Sequence, residues 1–306
     1  MIPFRVTIVG SGSAIPTLQR AATSQVVQYN GTTILLDCAE GTQLQLKKLK
    51  ISIMRIDHVF ISHMHGDHYF GLIGLINTLH LIGRTNPLNI FGPSELIDIL
   101  NLQLRASDTK LRYTINFSAL EQEGKQLIFE DNTLRYFSFP VIHRIPTWGF
   151  LIEEKDTELQ IDPLFLAQRK LDIPTIKAIK SGSDFTDIDG NIVSNNLITY
   201  PLAKRRSYAF CTDTSFDERL ATYFTGVSML YYEATFMHHM ADTAAETFHS
   251  TSRQAAQMAL IANAEKLLIG HFSSRYTDLQ PLLEESRVVF PNTDLAMDGS
   301  VFEIAV

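Results

Sequence analysis

Apolar and polar positions alternate over 5–9, and the run then breaks at Gly10-Ser11-Gly12-Ser13, the form of a strand entering a glycine-rich turn. Two further strands are predicted at 24–29 and 32–36, joined by Asn30-Gly31, a pair that suits a tight hairpin because both residues accept positive φ. The apolar run His58-Val59-Phe60-Ile61 delivers the chain into Ser62-His63-Met64-His65-Gly66-Asp67-His68, and 71–83 is then apolar at helical spacing. A short strand over 87–91 closes at Gly92-Pro93, and Ser94-Glu95-Leu96 opens another helix. Strands are predicted at 112–117, 126–129, 134–141, 207–211 and 266–269, and the hydroxyls of Thr251-Ser252 cap a late helix. Between 153 and 206 the period weakens. An apolar and basic stretch over 165–180, carrying Arg169, Lys170, Lys177 and Lys180, gives way to polar turns such as Asp189-Gly190-Asn191, which reads as an insertion forming a surface loop or arm.

The densest chemistry lies in the run after the strand at 58–61. Three imidazoles and a carboxylate within six residues are a concentrated set of metal ligands, and they would be costly beside two apolar segments without a cation to satisfy them. In an extended turn positions i and i+2 point the same way, so His63 and His65 can share one ion, while Asp67 and His68 turn toward another at the helix entrance. Three more polar residues, His143, Asp213 and His271, each fall just beyond the carboxyl end of a predicted strand, where open α/β sheets gather their ligand-binding groups. The glycines at 10 and 12 do not make a dinucleotide fingerprint, because Ala14-Ile15-Pro16 stands where the third glycine and helix would be.

The run 63–68 resembles the signature of the metallo-β-lactamase superfamily of binuclear hydrolases. The resemblance implies an α/β four-layer αβ/βα sandwich, two mixed sheets flanked by helices, as a single domain over 1–306 with the insertion at 153–206. It assigns His63, His65 and His143 to one metal, Asp67, His68 and His271 to a second, and Asp213 to both. Within the superfamily, Asp37-Cys38-Ala39-Glu40-Gly41-Thr42-Gln43 is similar to the strand-to-helix motif of the ribonuclease Z family, with Ala39 where that family has glycine. Glu233-Ala234-Thr235-Phe236, His249-Ser250-Thr251 and Gly270-His271-Phe272-Ser273-Ser274-Arg275-Tyr276 resemble its later motifs. Two features depart from that pattern: the glycine- and proline-rich arm signature is absent from 153–206, and Pro16-Thr17-Leu18-Gln19-Arg20-Ala21 keeps only proline and arginine of the family's early loop.

The family resemblance implies an endoribonuclease that trims the 3′ end of precursor tRNA, with two zinc ions per subunit, manganese being compatible with the same donors. It implies Asp67 orienting water, His249 protonating the leaving 3′ oxygen, Glu233 holding that imidazole, and Arg20 and Arg275 on phosphates. Lys204-Arg205-Arg206 is a further basic candidate, and homodimers are the family's habit. Two rival readings are a binuclear metallohydrolase acting on small phosphodiesters or other small-molecule substrates, and a catalytically silent RNA-binding or scaffold member of the superfamily. Composition narrows the surroundings. At 306 residues with 45% hydrophobic positions a large core is available, and a formal charge of −7 argues against wholesale nucleic-acid binding unless a local basic patch overrides it. Cys38 and Cys211 are too few for a disulfide framework. Without a signal-like start or a membrane-length apolar run, the expected location is cytoplasmic, with no membrane partner.

Overall fold

The computed structural model describes residues 2–121, 123–155, 159–201 and 204–305. They form two compact units, one from the chain up to Glu153 together with 207–305, the other from Glu154 to Arg206. The first unit holds two mixed seven-stranded sheets. In the first sheet the order is Val301–Glu303, Phe4–Gly10, Ser24–Tyr29, Thr32–Leu36, Ile56–Phe60, Leu88–Gly92 and Ile115–Ala119. In the second it is Thr293–Leu295, Leu267–Gly270, Met229–Glu233, Ser207–Cys211, Trp148–Glu154, Leu134–Pro140 and Gln126–Glu130.

Period-two side-chain alternation sorts these strands into layers. Phe4, Val6 and Ile8 of the N-terminal strand meet Tyr208, Phe210 and Tyr231 in the core between the sheets. The intervening residues face outward under helices. Val9, Val26, Leu35 and Val59 pack against Leu72, Leu75, Leu79, Leu96 and Leu100 of the helices Leu72–Leu81 and Glu95–Ala106. On the other side Ala209, Leu230 and Tyr232 pack against Ala255, Met258, Ala259 and Leu282 of Ser252–Ile261 and Gln280–Val289. The result is helix, sheet, sheet, helix, the four layers expected. Burying a Leu or Phe side chain is worth about 1.5–3 kcal/mol, so these three clusters dominate the stability of the unit.

Hairpin and caps follow local chemistry. Asn30 and Gly31 both take positive φ, at 46° and 87°, as the two-residue turn between 24–29 and 32–36 requires. Thr251 and Gln254 form a reciprocal capping box at the start of Ser252–Ile261. Parallel pairing of Thr32–Leu36, Ile56–Phe60 and Leu88–Gly92 points their carboxyl ends the same way, as does that of Ser207–Cys211, Met229–Glu233 and Leu267–Gly270. The metal-ligand candidates stand at those ends.

The second unit is folded in its own right rather than a plain loop. It has its own small core of Ile161, Phe165, Ile179 and Ile198. Leu159–Ile161 pairs antiparallel with Thr199–Pro201, and Asp162 and Asp172 cap the helices Pro163–Ala167 and Ile173–Lys180. Arg169 stacks over the Phe165 ring at 4.2 Å. Arg206, read as part of a basic patch, is buried and donates three hydrogen bonds to the Glu154 carboxylate, from Nε to Oε1 at 3.0 Å, from Nη2 to Oε1 at 2.5 Å and from the amide to Oε2 at 2.8 Å. Residues 156–158, 202 and 203 of the expected insertion lie outside the described residues. Among the described residues no helix is long and apolar enough to cross a membrane.

Candidate metal centre

The strand Thr32–Leu36 ends at Asp37, which has φ 55° and is fully buried. Its carboxylate accepts from the Ser62 amide at 2.7 Å, the Ser62 hydroxyl at 2.8 Å and His68 Nδ1 at 2.7 Å. Because the Ser62 hydroxyl donates to Asp37, it must accept from His63 Nδ1, 2.9 Å away. His143 Nδ1 donates to the Phe248 carbonyl at 3.0 Å. His271 Nδ1 donates to the Thr235 hydroxyl at 2.9 Å, since that hydroxyl is itself donating to Glu233 Oε2 at 2.6 Å. In all four rings Nδ1 is engaged as a donor, which leaves Nε2 as the nitrogen that can ligate.

The ring nitrogens converge. His63 Nε2 lies 3.0 Å from His65 Nδ1, which lies 3.2 Å from His143 Nε2, and Asp213 Oδ2 stands 3.8 Å from both Nε2 atoms. On the other side of the same carboxylate, Asp213 Oδ1 is 3.2 Å from His68 Nε2 and 3.1 Å from His271 Nε2. Asp67 Oδ2 completes that group at 3.4 Å from His68 and 3.8 Å from His271. Within the sets His63, His65, His143, Asp213 and Asp67, His68, His271, the ligand atoms lie no more than 4.8 Å apart. Imidazole nitrogens facing one another at about 3 Å, and buried Nε2 atoms of His68 and His271 with no hydrogen-bond partner among the described residues, are what a cation between them would satisfy. The residues present fit a pair of metal ions.

Electrostatics agree with this fit. Burial holds His63, His65 and His143 below the ordinary imidazole range, in the neutral form that ligates. Burial disfavours charge on His68 too, but the carboxylates of Asp213, Asp37 and Asp67 overwhelm it and push that ring well above the usual range. Asp67 and Asp213 are correspondingly held well below the carboxylate range, against burial, by the surrounding imidazoles. Such a field favours a cation.

His249 stands beside this group without joining either set of ligands. Its Nδ1 is 2.9 Å from Glu233 Oε1, and Glu233, wholly buried, also accepts from the Thr214 amide at 2.6 Å. Burial opposes a charged His249, yet the Glu233 carboxylate overrides it and pushes the ring up to about 9. Asp213, His249 and His271 also cluster within 4.8 Å, so His249 borders the same space. Asp67 Oδ2 accepts from the Ala14 amide at 2.8 Å, in a turn where Ala14 has φ 55°. The centre opens into a cavity of about 520 Å³ lined among others by Ile15, Arg144, Phe236, Ser273 and Arg275.

Two expected phosphate contacts fare differently. Arg275 lines the cavity, its guanidinium 4.8 Å from the Phe236 ring and bonded to Ser273 Oγ at 3.0 Å. Arg20 is buried instead, with Nη2 donating to the carbonyls of Ser273 at 3.1 Å and Tyr276 at 2.8 Å. It ties the early loop to the loop after His271. The sequence reading passed over Asp37 as a support for His68, Thr235 as the link between Glu233 and His271, and Arg144. Asp37 did carry a signal, since it follows a strand end as Asp213 does.

Human tRNase Z, short form (ELAC1), superposes on 99% of this chain and 100% of its own, with a TM-score of 0.71 at 27% identity. The metallo-beta-lactamase fold protein YhfI of Bacillus subtilis covers 98% of this chain and 99% of its own at a TM-score of 0.68, and its 17% identity speaks for the fold alone. The class is therefore that of the metallo-β-lactamase superfamily, with its histidine and aspartate cluster in the manner of a binuclear metal site. Sequence narrows the class. Ribonuclease Z of Parabacteroides distasonis is 40% identical over 299 residues, 98% of each chain, and that of Cytophaga hutchinsonii is 41% identical over 303 residues, 99% of this chain and 96% of its own. A family model described as Anti-Pycsar protein Apyc1 matches residues 4–168, just over half of the chain. The chain belongs to the ribonuclease Z family.

Proposed function

We propose that this protein is a metal-dependent endoribonuclease cutting precursor tRNA at its 3′ end, with two zinc ions per subunit held by His63, His65, His143, Asp213, Asp67, His68 and His271, and that it works as a homodimer. The observation that carries the reading is the single carboxylate of Asp213, one oxygen of which faces His63 and His143 while the other faces His68 and His271. When bound, such ions supply Lewis acidity toward a phosphoryl oxygen and a water of lowered pKa.

The chain's own groups supply the rest. Asp67, held by the Ala14 amide, accepts a proton from the attacking water and fixes its direction. His249 carries a proton on Nε2 and gives it to the departing 3′ oxygen, which would otherwise leave as an alkoxide. Glu233 holds Nδ1 of that ring and favours its charged form. Arg275, braced against Phe236, offers a phosphate contact at the cavity wall. Manganese would suit the same neutral imidazoles and carboxylates.

The test is a kinetic split. His249→Ala should lower kcat on precursor tRNA by about 10²–10⁴ with little change in KM or metal content. Glu233→Gln should fall short of that loss and respond more steeply to pH, because the imidazole loses its charged partner. Native turnover by His249→Ala would remove the proton-donor assignment.

A further inference from the structure

Arg144 follows His143 directly, yet the two side chains differ in their surroundings. The His143 side chain is 2% exposed and turned into the ligand group, whereas Arg144 is exposed and lines the cavity that opens from it. No ion pair or hydrogen bond engages its guanidinium among the described residues. The carboxylates of Asp67 and Asp213 line the same cavity. Arg275 lines the same cavity, but its head group is already bonded to Ser273 Oγ and Met240 Sδ and stacked on Phe236.

We propose that Arg144 is a specificity residue that binds a backbone phosphate next to the scissile one as the RNA strand crosses the cavity rim, an inference that deepens the endoribonuclease reading and rests on it. The scissile group must reach the floor, where Asp213, Asp67 and His249 meet. An exposed, unengaged guanidinium at the rim meets the strand one linkage away. Arginine suits this task because its planar fork donates to two phosphate oxygens at once. In a chain of net charge −7, a single such cation at the mouth also lowers the barrier to a polyanion entering. A small phosphodiester has no neighbouring phosphate. Arg144 therefore sorts strands from small esters without taking part in bond breaking.

Two substrates separate the cases. Binding of intact precursor tRNA is read by fluorescence anisotropy across a salt series, on a His249→Ala background so that the strand stays whole, and kcat/KM on bis(p-nitrophenyl) phosphate is read in the otherwise native chain. Arg144→Ala should weaken RNA binding about tenfold and flatten the log–log salt slope by about 0.7–0.9, the signature of one lost phosphate contact. Hydrolysis of the small ester should stay within about twofold, and Arg144→Lys should recover part of the affinity. Equal losses on both substrates would overturn the proposal and make Arg144 a support of the centre, and unchanged RNA binding would make it solvated surface. A native chain that binds precursor tRNA without cutting it would refute the endoribonuclease reading, while the Arg144→Ala titration would still decide this one.

Discussion

At the scale of single residues, the rings of His63, His68, His143 and His271 are oriented by groups that never touch a metal. Thr235 shows how tightly these are coupled: one hydroxyl donates to Glu233 and accepts from His271 Nδ1. Thr235→Val keeps the shape but strands a buried carboxylate oxygen and an imidazole N–H, at a cost of about 1–3 kcal/mol. It should lower the melting temperature and weaken metal affinity about 10–100-fold, read by equilibrium dialysis. Far from the centre, Asp131 accepts from the amides of Thr133 and Leu134 at 2.7 and 2.8 Å and from the Tyr136 hydroxyl at 2.8 Å. Burial works against this carboxylate, but those donors outweigh it and hold its pKa below the usual range. A depressed carboxylate stabilises the fold above its unfolded pKa, and the contribution is lost as pH falls through the folded value. Asp131→Ala should therefore cost about 1–2 kcal/mol at neutral pH, and the difference from the native chain should shrink below about pH 4 in denaturant titrations.

Among the elements, legibility followed locality. The hairpin around Asn30-Gly31, the strand before His63 and the helix after Gly71 were readable because alternation and helical spacing each stay within one segment. Ligand residues at 63, 65, 67 and 68 were readable for the same reason, as spacing within one turn. Trp148–Glu154 was not, since its burial is nearly continuous and shows no period. Nor was Val301–Glu303, a short strand made stable by pairing with Phe4–Gly10 from the other end of the chain. One glycine joins strand and ligand helix by close approach. A Cβ on Gly71 would lie 2.0 Å from the Ala39 carbonyl oxygen, at the place where the Gly71 amide donates to Cys38 and the Cys38 amide to His68. Gly71→Ala should destabilise by about 1–3 kcal/mol in thermal unfolding and weaken metal binding, because the displaced backbone follows directly on the short helix Gly66–Tyr69 that carries Asp67 and His68.

For the whole molecule, the distant ligands became legible only jointly. His143, Asp213 and His271 are unremarkable singly, and only the shared rule that each closes a strand singled them out. Arg20 misled because sequence shows a cation and not its partners, here two carbonyls. The fold within 154–206 was hidden by its small core of four scattered apolar residues. That segment leaves and returns at paired positions, since Glu153 and Ser207 are register partners in one sheet. Replacing it with a short turn should leave the remaining unit folded, with circular dichroism and bis(p-nitrophenyl) phosphate hydrolysis retained. Affinity for precursor tRNA should fall if the segment serves as the substrate arm.

One measurement bears on the centre and its substrate together: mapping by gel the products of a 3′-extended precursor tRNA incubated with the purified protein, before and after chelation and readdition of zinc. The account predicts one cut near the 3′ end of the tRNA, leaving a 3′ hydroxyl, lost on chelation and restored by the metal. An uncut precursor under conditions where bis(p-nitrophenyl) phosphate is hydrolysed, or a cut indifferent to chelation, would contradict it.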